Sequence, residues 1–286
     1  MTHSFEHKAM KTIFTFRLQH EDRKVAATAA NEAFQLIDEV EDKLSRYREG
    51  SDVWQINHME ADQTLFISEL CYDCLLLSLQ ALTETMGFFD VTLGRQIEHQ
   101  KRQEEGAPPE LTGQIMLVPD RPAVYCKEPG REIDLGGIGK GFALDRAKAL
   151  LRGWGVDTGI LSAGASTHLA FGEKAWRLGL SARKQTLDID LRNQSLSASG
   201  TGVQNEHILS PLGEQSPYQH PRIWVLHESA AWADAWSTAA MLMNREELGS
   251  LANKTSGLYF EDAETGAVEK VNEDPGKRDD SPTSSN

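Results

Sequence analysis

Two periods of hydrophobic positions divide the chain into strands and helices. Apolar residues at every second position predict a strand over 13–18, and spacings of three and four predict helices over 21–47 and 67–86. The alternation also predicts a hairpin over 116–124 and strands at 159–161, 177–180, 187–191, 195–198 and 223–226. The LDIDL of 187–191 favours an antiparallel sheet with one solvated face. The pattern therefore predicts an α+β fold of mixed, largely antiparallel sheets with flanking helices.

The hydrophobic pattern fades after Phe260. Residues 261–271 predict a last hairpin about Thr265 and Gly266, whereas 272–286 are mostly Asp, Pro, Ser and Lys and predict a disordered polar and acidic tail. Because 40% of the 286 residues are hydrophobic, the part of the chain before this tail can bury a large core. We expect one domain over 1–271, built as a single unit or as two packed lobes.

Charge and composition exclude several classes of partner. The net charge is −14 and no basic stripe interrupts it, which argues against nucleic acid and anionic membranes. No apolar run has transmembrane length, and residues 1–18 carry charges throughout, unlike a signal peptide. We expect a cytoplasmic protein, or a periplasmic one if a leader has been removed.

The three cysteines favour a structural role. Cys71 and Cys74 form a C-x-x-C inside the predicted helix 67–86, whose apolar spacing turns both sulfurs toward the core. A zinc site needs two more ligands nearby, and a redox motif favours a helix N-terminus. We therefore expect Cys71 and Cys74 to be packing residues.

A glycine-rich loop supplies the first candidate chemistry. Residues 134–145 read DLGGIGKGFALD, so an acid, four glycines and Lys140 precede apolar positions with helical spacing. Such glycines allow close backbone approach, and Lys140 with the amides of a first helical turn would attract a phosphate. The loop fits neither a P-loop, since Gly141 follows the lysine, nor the G-x-G-x-x-G fingerprint. The alternative is an ordinary strand-to-helix turn with a solvated lysine.

A second motif suits a metal ion. ADAWST of 233–238 lies in an Ala- and Met-rich stretch that predicts a buried helix. Asp234 and Thr238 are four residues apart and share one helix face, as hard oxygen ligands suited to Mg²⁺. In the alternative interpretation, Asp234 is a helix cap and Thr238 bonds back to a carbonyl.

Ordered segments along most of the chain carry a family resemblance. They are Met10 with Thr12, LSRYREGSDVWQIN of 44–57, FFDVTLG of 88–94, DLGGIGKG of 134–141, LSAG of 161–164, ASG of 198–200, HILSP of 207–211 and ADAWST of 233–238. In this order they resemble the FAD:protein FMN transferase (ApbE) family, which moves FMN from FAD onto a protein hydroxyl with Mg²⁺. The fold of that family is likewise α plus β.

The resemblance implies a set of ligand contacts. Met10 and Tyr47 would flank the flavin. The other residues that it places against FAD are Phe88, Phe89, Asp90, Asp134, Lys140 and Leu209. The Mg²⁺ would be held by the side chains of Asp234 and Thr238 and the carbonyl of Gly137, with Ser237 close by. Such a site suits Mg²⁺, which prefers substrate phosphates plus one or two carboxylates.

The implied reaction is attack of a threonine or serine hydroxyl of an acceptor protein on the FMN-side phosphorus of FAD, with loss of AMP. Lys140 and Mg²⁺ would neutralise charge on the phosphate oxygens. His207 is the candidate for proton handling, and its alternative role is a structural hydrogen bond.

Several positions depart from the residues usual in the family. They are Lys11 for glycine, Val91 for proline, Ala165 with Ser166 for Gly-Asp, Thr201 with Gly202 for an acidic and aromatic pair, and 210–213 for Asp-Pro-Arg-Thr-Gly. Most lie on the acceptor side, so FAD and Mg²⁺ binding is better supported than transfer to a protein. Mg²⁺-dependent hydrolysis of FAD to FMN and AMP, and FAD binding without turnover, stay open.

Overall fold

The fold was obtained as a computed structural model, and the structure describes residues 1–201 and 218–272. Within these ranges the helices are α1 (Arg23–Leu44), α2 (Asp52–Ile56), α3 (Glu69–Glu84), α4 (Gly94–Arg102), α5 (Gly139–Gly153), α6 (Ala230–Ala240) and α7 (Arg245–Ala252). The strands are β1 (Thr2–Ala9), β2 (Thr12–Gln19), β3 (Gln63–Phe66), β4 (Gln114–Leu117), β5 (Ala123–Glu128), β6 (Thr158–Ala163), β7 (Thr167–Phe171), β8 (Trp176–Ser181), β9 (Thr186–Leu191), β10 (Ser195–Gly200), β11 (Arg222–His227), β12 (Gly257–Glu261) and β13 (Val268–Lys270).

An antiparallel sheet of eight strands forms the centre, in the order β1-β2-β6-β7-β10-β11-β12-β13. Its first hairpin closes through Met10 and Lys11, which have φ of 47° and 57°, between the paired Ala9 and Thr12. A two-residue turn of this kind normally favours Asn and Gly. Lys11 therefore occupies a strained position at the tip of the hairpin.

Two smaller antiparallel sheets flank the large one, in the orders β3-β5-β4 and β8-β9. Along β9, exposed Thr186, Asp188 and Asp190 alternate with less exposed residues, so the predicted solvated face is confirmed. Trp176 and Leu180 of β8 pack with Trp224 in a separate hydrophobic cluster. The β8-β9 ribbon therefore has an apolar anchorage to the large sheet.

Helix α5 packs against both α1 and α6, and α6 lies on β10 and β11. The largest buried side chains of the main core include Phe14 and Phe16 of β2 and Phe142 and Leu144 of α5. This packing holds the first turn of α5 beside α6.

The cysteines of α3 are packing residues, as predicted. Cys71 and Cys74 are fully buried and belong to the main core. Burial raises the pKa of both thiols well above the ordinary value, so the reactive thiolate is disfavoured.

The α+β prediction is confirmed, with shifts at the ends of the long helices. The helix predicted over 21–47 begins at Arg23, where Asp22 accepts a hydrogen bond from the amide of Lys24, and ends at Leu44 because Ser45 is extended. Tyr47 therefore lies in the turn that follows α1. The helix predicted over 67–86 is α3.

Several elements were not predicted, chiefly β1, β7, α4 and α7. Every second residue of β1 is exposed, and its other face carries two histidines, so the apolar alternation of a buried strand is weak there. The sequence of α4, GRQIEHQKR, is almost entirely polar. Both elements are fixed by tertiary packing more than by their own hydrophobic pattern.

The predicted last hairpin is confirmed by β12 and β13, with Gly266 in the connecting turn at φ 67°. The disordered tail stays a prediction, because 273–286 lie outside the described residues. The division into one unit or two lobes also stays a prediction. Along 1–201 and 218–272, no helix combines the length and apolar character that a bilayer span requires.

Candidate active site

Three of the sequence motifs meet at the loop that precedes α5. The amide of Asp134 donates to the carbonyl of Val91 at 2.8 Å, which joins this loop to FFDVTLG. A Cβ at Gly137 would lie 3.0 Å from Phe89 Cε2 and 3.1 Å from Thr238 Oγ1. FFDVTLG, DLGGIGKG and ADAWST therefore form one site, in which Gly137 has little room for a side chain.

The centre of the site is the carboxylate of Asp234, which is only 4% exposed. Its Oδ1 accepts hydrogen bonds from Thr167 Oγ1 at 3.2 Å and Ser197 Oγ at 3.0 Å. Its Oδ2 accepts one from the amide of Gly141 at 3.1 Å and lies 3.8 Å from Lys140 Nζ. These hydrogen bonds offset the desolvation free energy of the buried carboxylate.

Asp234 is not the helix cap that the alternative interpretation required. Ser229 caps α6, and Asp234 lies in its second turn. The other half of that interpretation is confirmed, since Thr238 Oγ1 donates to the carbonyl of Asp234 at 3.1 Å. Ser237 Oγ lies 3.0 Å from the same carbonyl. A hydroxyl that donates keeps its oxygen lone pairs, so Thr238 can still serve as a ligand.

A chain of hydroxyls surrounds the carboxylate, and we call Thr167, Ser197, Ser199 and Ser237 the hydroxyl cluster. Thr167 and Ser197 are 3.2 Å apart, Ser197 and Ser237 are 3.4 Å apart, and Ser237 and Ser199 are 2.9 Å apart, each between Oγ atoms. Neither Thr167 nor Ser197 was predicted from the sequence. The available signal for Ser197 was the serine at every second position of SLSASG, which places those serines on one face of β10.

Lys140 turns back over its own loop. Its Nζ lies 3.4 Å from the carbonyl of Gly136 and 3.8 Å from Asp234 Oδ2, and the side chain is 26% exposed. The N-cap residue of α5 is Ile138, which has no side-chain acceptor, so Asp234 receives the first-turn amide of Gly141 instead. A fully solvated Lys140 is thus not what the structure shows.

Three cationic side chains lie around Tyr47, and we call Lys11, Arg46 and Lys101 the cationic cluster. Acids accompany them, since Glu132 pairs with Arg46 at 2.6 Å and Glu98 accepts from the Tyr47 hydroxyl at 3.1 Å. Lys11 Nζ lies 4.5 Å from the centre of the Tyr47 ring, Lys101 Nζ lies 3.2 Å from the Tyr47 hydroxyl, and the Arg46 guanidinium carbon lies 5.6 Å from the ring centre. Tyr47 itself is 50% exposed. Met10 precedes Lys11 at the hairpin tip, so both residues predicted to flank the flavin adjoin this cluster.

Asp134 connects the cationic cluster to the loop. Its Oδ2 lies 3.5 Å from Arg46 Nη1 and 3.5 Å from Lys101 Nζ, while its Oδ1 accepts from the amide of Gly136 at 2.8 Å. Burial acts to lower the pKa of Lys101. The charge of Asp134 and the hydrogen bonds with Tyr47 and Asp134 act in the opposite direction and are together stronger, so the net effect is a raised pKa. Lys101 therefore stays charged at neutral pH.

The FFD turn lies beside the same loop. Phe89 is buried, and its amide donates to Thr85 Oγ1 at 3.0 Å, whereas Phe88 and Asp90 are partly exposed. Asp90 Oδ2 lies 3.5 Å from Arg131 Nη1. Phe88 and Asp90 are thus the more accessible members of the turn.

Two predicted site residues have no placement here. His207 and Leu209 lie outside the described residues. Their assignment to proton handling and to flavin contact stays a prediction.

The donor set around Asp234 fits a magnesium ion that also binds a substrate. The carboxylate, the Thr238 hydroxyl and the neighbouring backbone of Gly137 are hard oxygen donors, and Mg²⁺ commonly uses one or two carboxylates plus phosphate oxygens and water. Nowhere in the described ranges do three or more His, Cys, Asp or Glu side chains form a group that could hold a metal. The remaining ligands of such an ion would come from substrate and water.

Similarity to known proteins extends along most of the chain. The profile of the ApbE family matches residues 10–260. A FAD:protein FMN transferase of Klebsiella pneumoniae (strain 342) is 26% identical over 258 residues, which cover 78% of this chain and 81% of that protein. A protein of the same name from Buchnera aphidicola subsp. Schizaphis graminum is 24% identical over 248 residues, covering 76% and 73%.

Solved structures share the fold. The ApbE protein of Thermotoga maritima superposes with a TM-score of 0.83 at 24% identity, covering 95% of this chain and 97% of that one. The apo form of the Pseudomonas stutzeri flavinyl transferase ApbE gives 0.82 at 21% identity, covering 95% and 94%. The expected ApbE-like fold is thereby confirmed. Because the family profile spans most of the chain, this protein belongs to the ApbE family.

Proposed function

We propose that this protein is a FAD:protein FMN transferase, which attaches FMN from FAD to a threonine or serine hydroxyl of an acceptor protein and releases AMP. The observation that carries the proposal is the meeting of Lys140, Asp234 and Thr238 at one glycine-rich loop. Family membership supports it, since the similar proteins of K. pneumoniae and B. aphidicola bear the name of that enzyme.

In this proposal FAD lies along the loop 134–141. Lys140 and the backbone of the loop face the pyrophosphate, and Tyr47 with the cationic cluster contacts the flavin side. Met10, Phe88, Phe89, Asp90, Asp134 and Leu209 complete the proposed FAD contacts. Local positive charge is needed because the chain as a whole carries −14 and repels a diphosphate at long range.

Asp234, Thr238 and the carbonyl of Gly137 would hold the metal, with Ser237 supporting the position of Asp234 through the hydroxyl cluster. When bound, Mg²⁺ supplies positive charge for the pyrophosphate oxygens as the anhydride breaks. The protein's part is to hold the Asp234 carboxylate in a fixed orientation. Thr167, Ser197 and the Gly141 amide support this role, since each donates a hydrogen bond to it.

The transfer forms one bond and breaks one. The acceptor hydroxyl oxygen bonds to the FMN-side phosphorus, and the bond from that phosphorus to the bridging oxygen breaks, so AMP leaves with the bridging oxygen. The hydroxyl proton passes to a base, for which His207 is our candidate. Lys140 stabilises the charge that develops on the phosphoryl oxygens.

Hydrolysis of FAD to FMN and AMP is a second candidate. Ser166 occupies a position where the family usually has aspartate. Its Oγ lies 3.4 Å from Thr167 Oγ1, and Thr167 in turn donates a hydrogen bond to Asp234. The absence of a carboxylate so close to the site would weaken binding of an acceptor hydroxyl there. In that case water would take its place as the nucleophile.

The function is tested by incubating the purified protein with FAD and an acceptor protein whose flavinylation segment contains a threonine. We expect the acceptor to gain the mass of FMN less water and to keep flavin fluorescence on a denaturing gel. The same acceptor with that threonine changed to alanine is the control and should stay unmodified, as should the sample with EDTA.

The other products identify the alternatives. Free FMN and AMP, without a modified acceptor, would show that the protein is a hydrolase and not a transferase. FAD that is bound but recovered intact would make the protein a flavin carrier. Absence of FAD binding would overturn all three hypotheses.

A further inference from the structure

The first turns of α5 and α6 touch through their backbones beside Asp234. A Cβ at Gly141 would lie 2.1 Å from the carbonyl oxygen of Ala230, so no side chain fits between the helices there. The amide of Gly141 also donates to Asp234 Oδ2. The distance from Lys140 on α5 to Asp234 on α6 therefore depends on how the start of α6 sits against α5.

One carboxylate of α5 accepts hydrogen bonds from the N-terminus of α6. Asp145 lies one turn after Gly141, and its Oδ2 accepts from Ser229 Oγ at 2.6 Å and from the amide of Ala231 at 3.0 Å. Its Oδ1 accepts from the amide of Ala230 at 3.0 Å. The first amides of a helix have no partner within the helix, and the helix dipole favours a negative charge near them. Asp145 thus supplies from a second helix the acceptor that α6 needs.

We propose that Asp145 is a positioning residue of the metal site. By fixing the start of α6, it sets the place of Asp234 and Thr238 relative to Lys140. Asp234 lies four residues after Ala230, one helical turn from the anchored amide, so displacement of the anchored turn displaces the ligand. The role in catalysis rests on the proposed function, whereas the effect on metal binding can be measured without turnover.

Asparagine separates positioning from packing at this site. Asp145→Asn keeps the side-chain volume and one acceptor oxygen. The second carboxylate oxygen is replaced by an NH₂ group, which cannot accept the hydrogen bonds that this oxygen accepts in the wild type. Loss of a group that orients a metal ligand typically weakens metal binding about 10–100-fold. A residue that only contributes to stability would change the unfolding temperature and leave the metal affinity of the folded protein unchanged.

The chain offers a matched control on the same helix. Asp73 of α3 pairs with Arg146 of α5 at 2.5 Å, next in sequence to Asp145, but it holds α5 to α3 and not to α6. Asp73→Asn removes an equal charge and should leave metal binding unchanged. Ser229→Ala is a second, milder variant, because it removes one of the three donors to Asp145.

The experiment is a titration of Mn²⁺ into the folded protein with FAD present, with free Mn²⁺ read by electron paramagnetic resonance. We expect the Kd for Mn²⁺ to rise about tenfold or more in Asp145→Asn and less in Ser229→Ala, with FAD affinity in EDTA unchanged. If Asp145→Asn does not fold, Ser229→Ala decides the test.

The outcomes separate the two proposals. Equal Mn²⁺ affinity in the wild type and in the folded variants would overturn the positioning role and leave the proposed function standing. Weaker Mn²⁺ binding in the variants, together with a wild type that modifies no acceptor, would support the positioning role and overturn the transferase. A wild type that binds no Mn²⁺ with FAD would overturn both.

Discussion

At the scale of single residues, the charge of Asp234 matters more than its shape. Two hydroxyls hold Oδ1, and an amide and an ammonium face Oδ2. A neutral side chain of the same shape could keep the two bonds from Thr167 and Ser197. It could not attract both Lys140 and a metal ion, because that attraction is electrostatic.

The replacement Asp234→Asn tests this directly. Loss of a group that merely supports a ligand costs about 10–100-fold, so loss of the ligand charge should lower FAD turnover at least about 100-fold. Because a buried amide then faces the Gly141 amide and Lys140, the free energy of unfolding should also fall, by about 1–3 kcal/mol. AMP release and urea unfolding measure the two effects.

The control for Asp234→Asn is Asp190→Asn. Asp190 is an exposed acid that pairs with Arg177 on the β8-β9 ribbon. It should change neither quantity noticeably. Turnover of Asp234→Asn within a few-fold of the wild type would refute the metal assignment.

The sequence could predict Asp234 and Thr238 but not the groups that hold them. The pair shares one helix, so its spacing alone places both side chains on one face. Thr167 and Ser197 lie 67 and 37 residues from Asp234 in the chain. Such contacts depend on which strands neighbour α6, and a single sequence carries little information on strand order.

At the scale of elements, the junction of α5 and α6 determines the geometry of the site. Both helices follow from their hydrophobic spacing, but their contact does not. The necessary signal is Gly141, which the sequence alone explained as a residue of an anion-binding loop. In the structure it is a point of close approach, since the Ala230 carbonyl occupies the space of a side chain.

Gly141→Ala should therefore push the two helices apart. The added methyl would meet backbone, which cannot rotate away, so we expect a loss of about 1–3 kcal/mol in the free energy of unfolding, typical of overpacking. Turnover should fall as well, because the same shift moves Lys140 from Asp234. Urea unfolding and AMP release report the two effects.

Helix α5 contains its own control for this substitution. A Cβ at Gly153, the last residue of α5, would meet nothing within 4 Å, so Gly153→Ala should not lower stability and should raise it by less than the roughly 1 kcal/mol typical of a helix interior. Equal effects of the two substitutions would contradict the close packing of α5 on α6.

At the scale of the whole molecule, fold class was predictable and topology was not. Alternating and helical patterns gave the α+β class, whereas β2 pairs with β6, more than a hundred residues later in the chain. The edge strand β1 and the polar α4 are stabilised by the assembled protein. The same long-range folding brings Lys11, Arg46 and Lys101 around Tyr47 in a chain of net charge −14.

We expect three histidines, distributed over the molecule, to make its stability depend on pH. Burial lowers the pKa of His168, His220 and His227 in the folded state. The unfolded chain, with a histidine pKa of about 6.5, then binds more protons than the folded protein below that pH. The free energy of unfolding should therefore decrease as the pH falls through about 6.5 and below.

His168 isolates this effect. Burial and the nearby Arg17 lower its pKa, against a hydrogen bond with the backbone of Ala165. In urea unfolding at several pH values, His168→Asn should flatten the decline below about pH 6.5. A decline as steep in His168→Asn as in the wild type would contradict the assignment.

Transfer of FMN from FAD to a protein hydroxyl is measured most directly by the ratio of AMP released to flavin bound covalently by the acceptor. The transferase predicts one flavinylated acceptor for each AMP, a ratio that holds through the reaction with Mg²⁺ and FAD in excess. AMP matched instead by free FMN, with the acceptor unmodified, would contradict it.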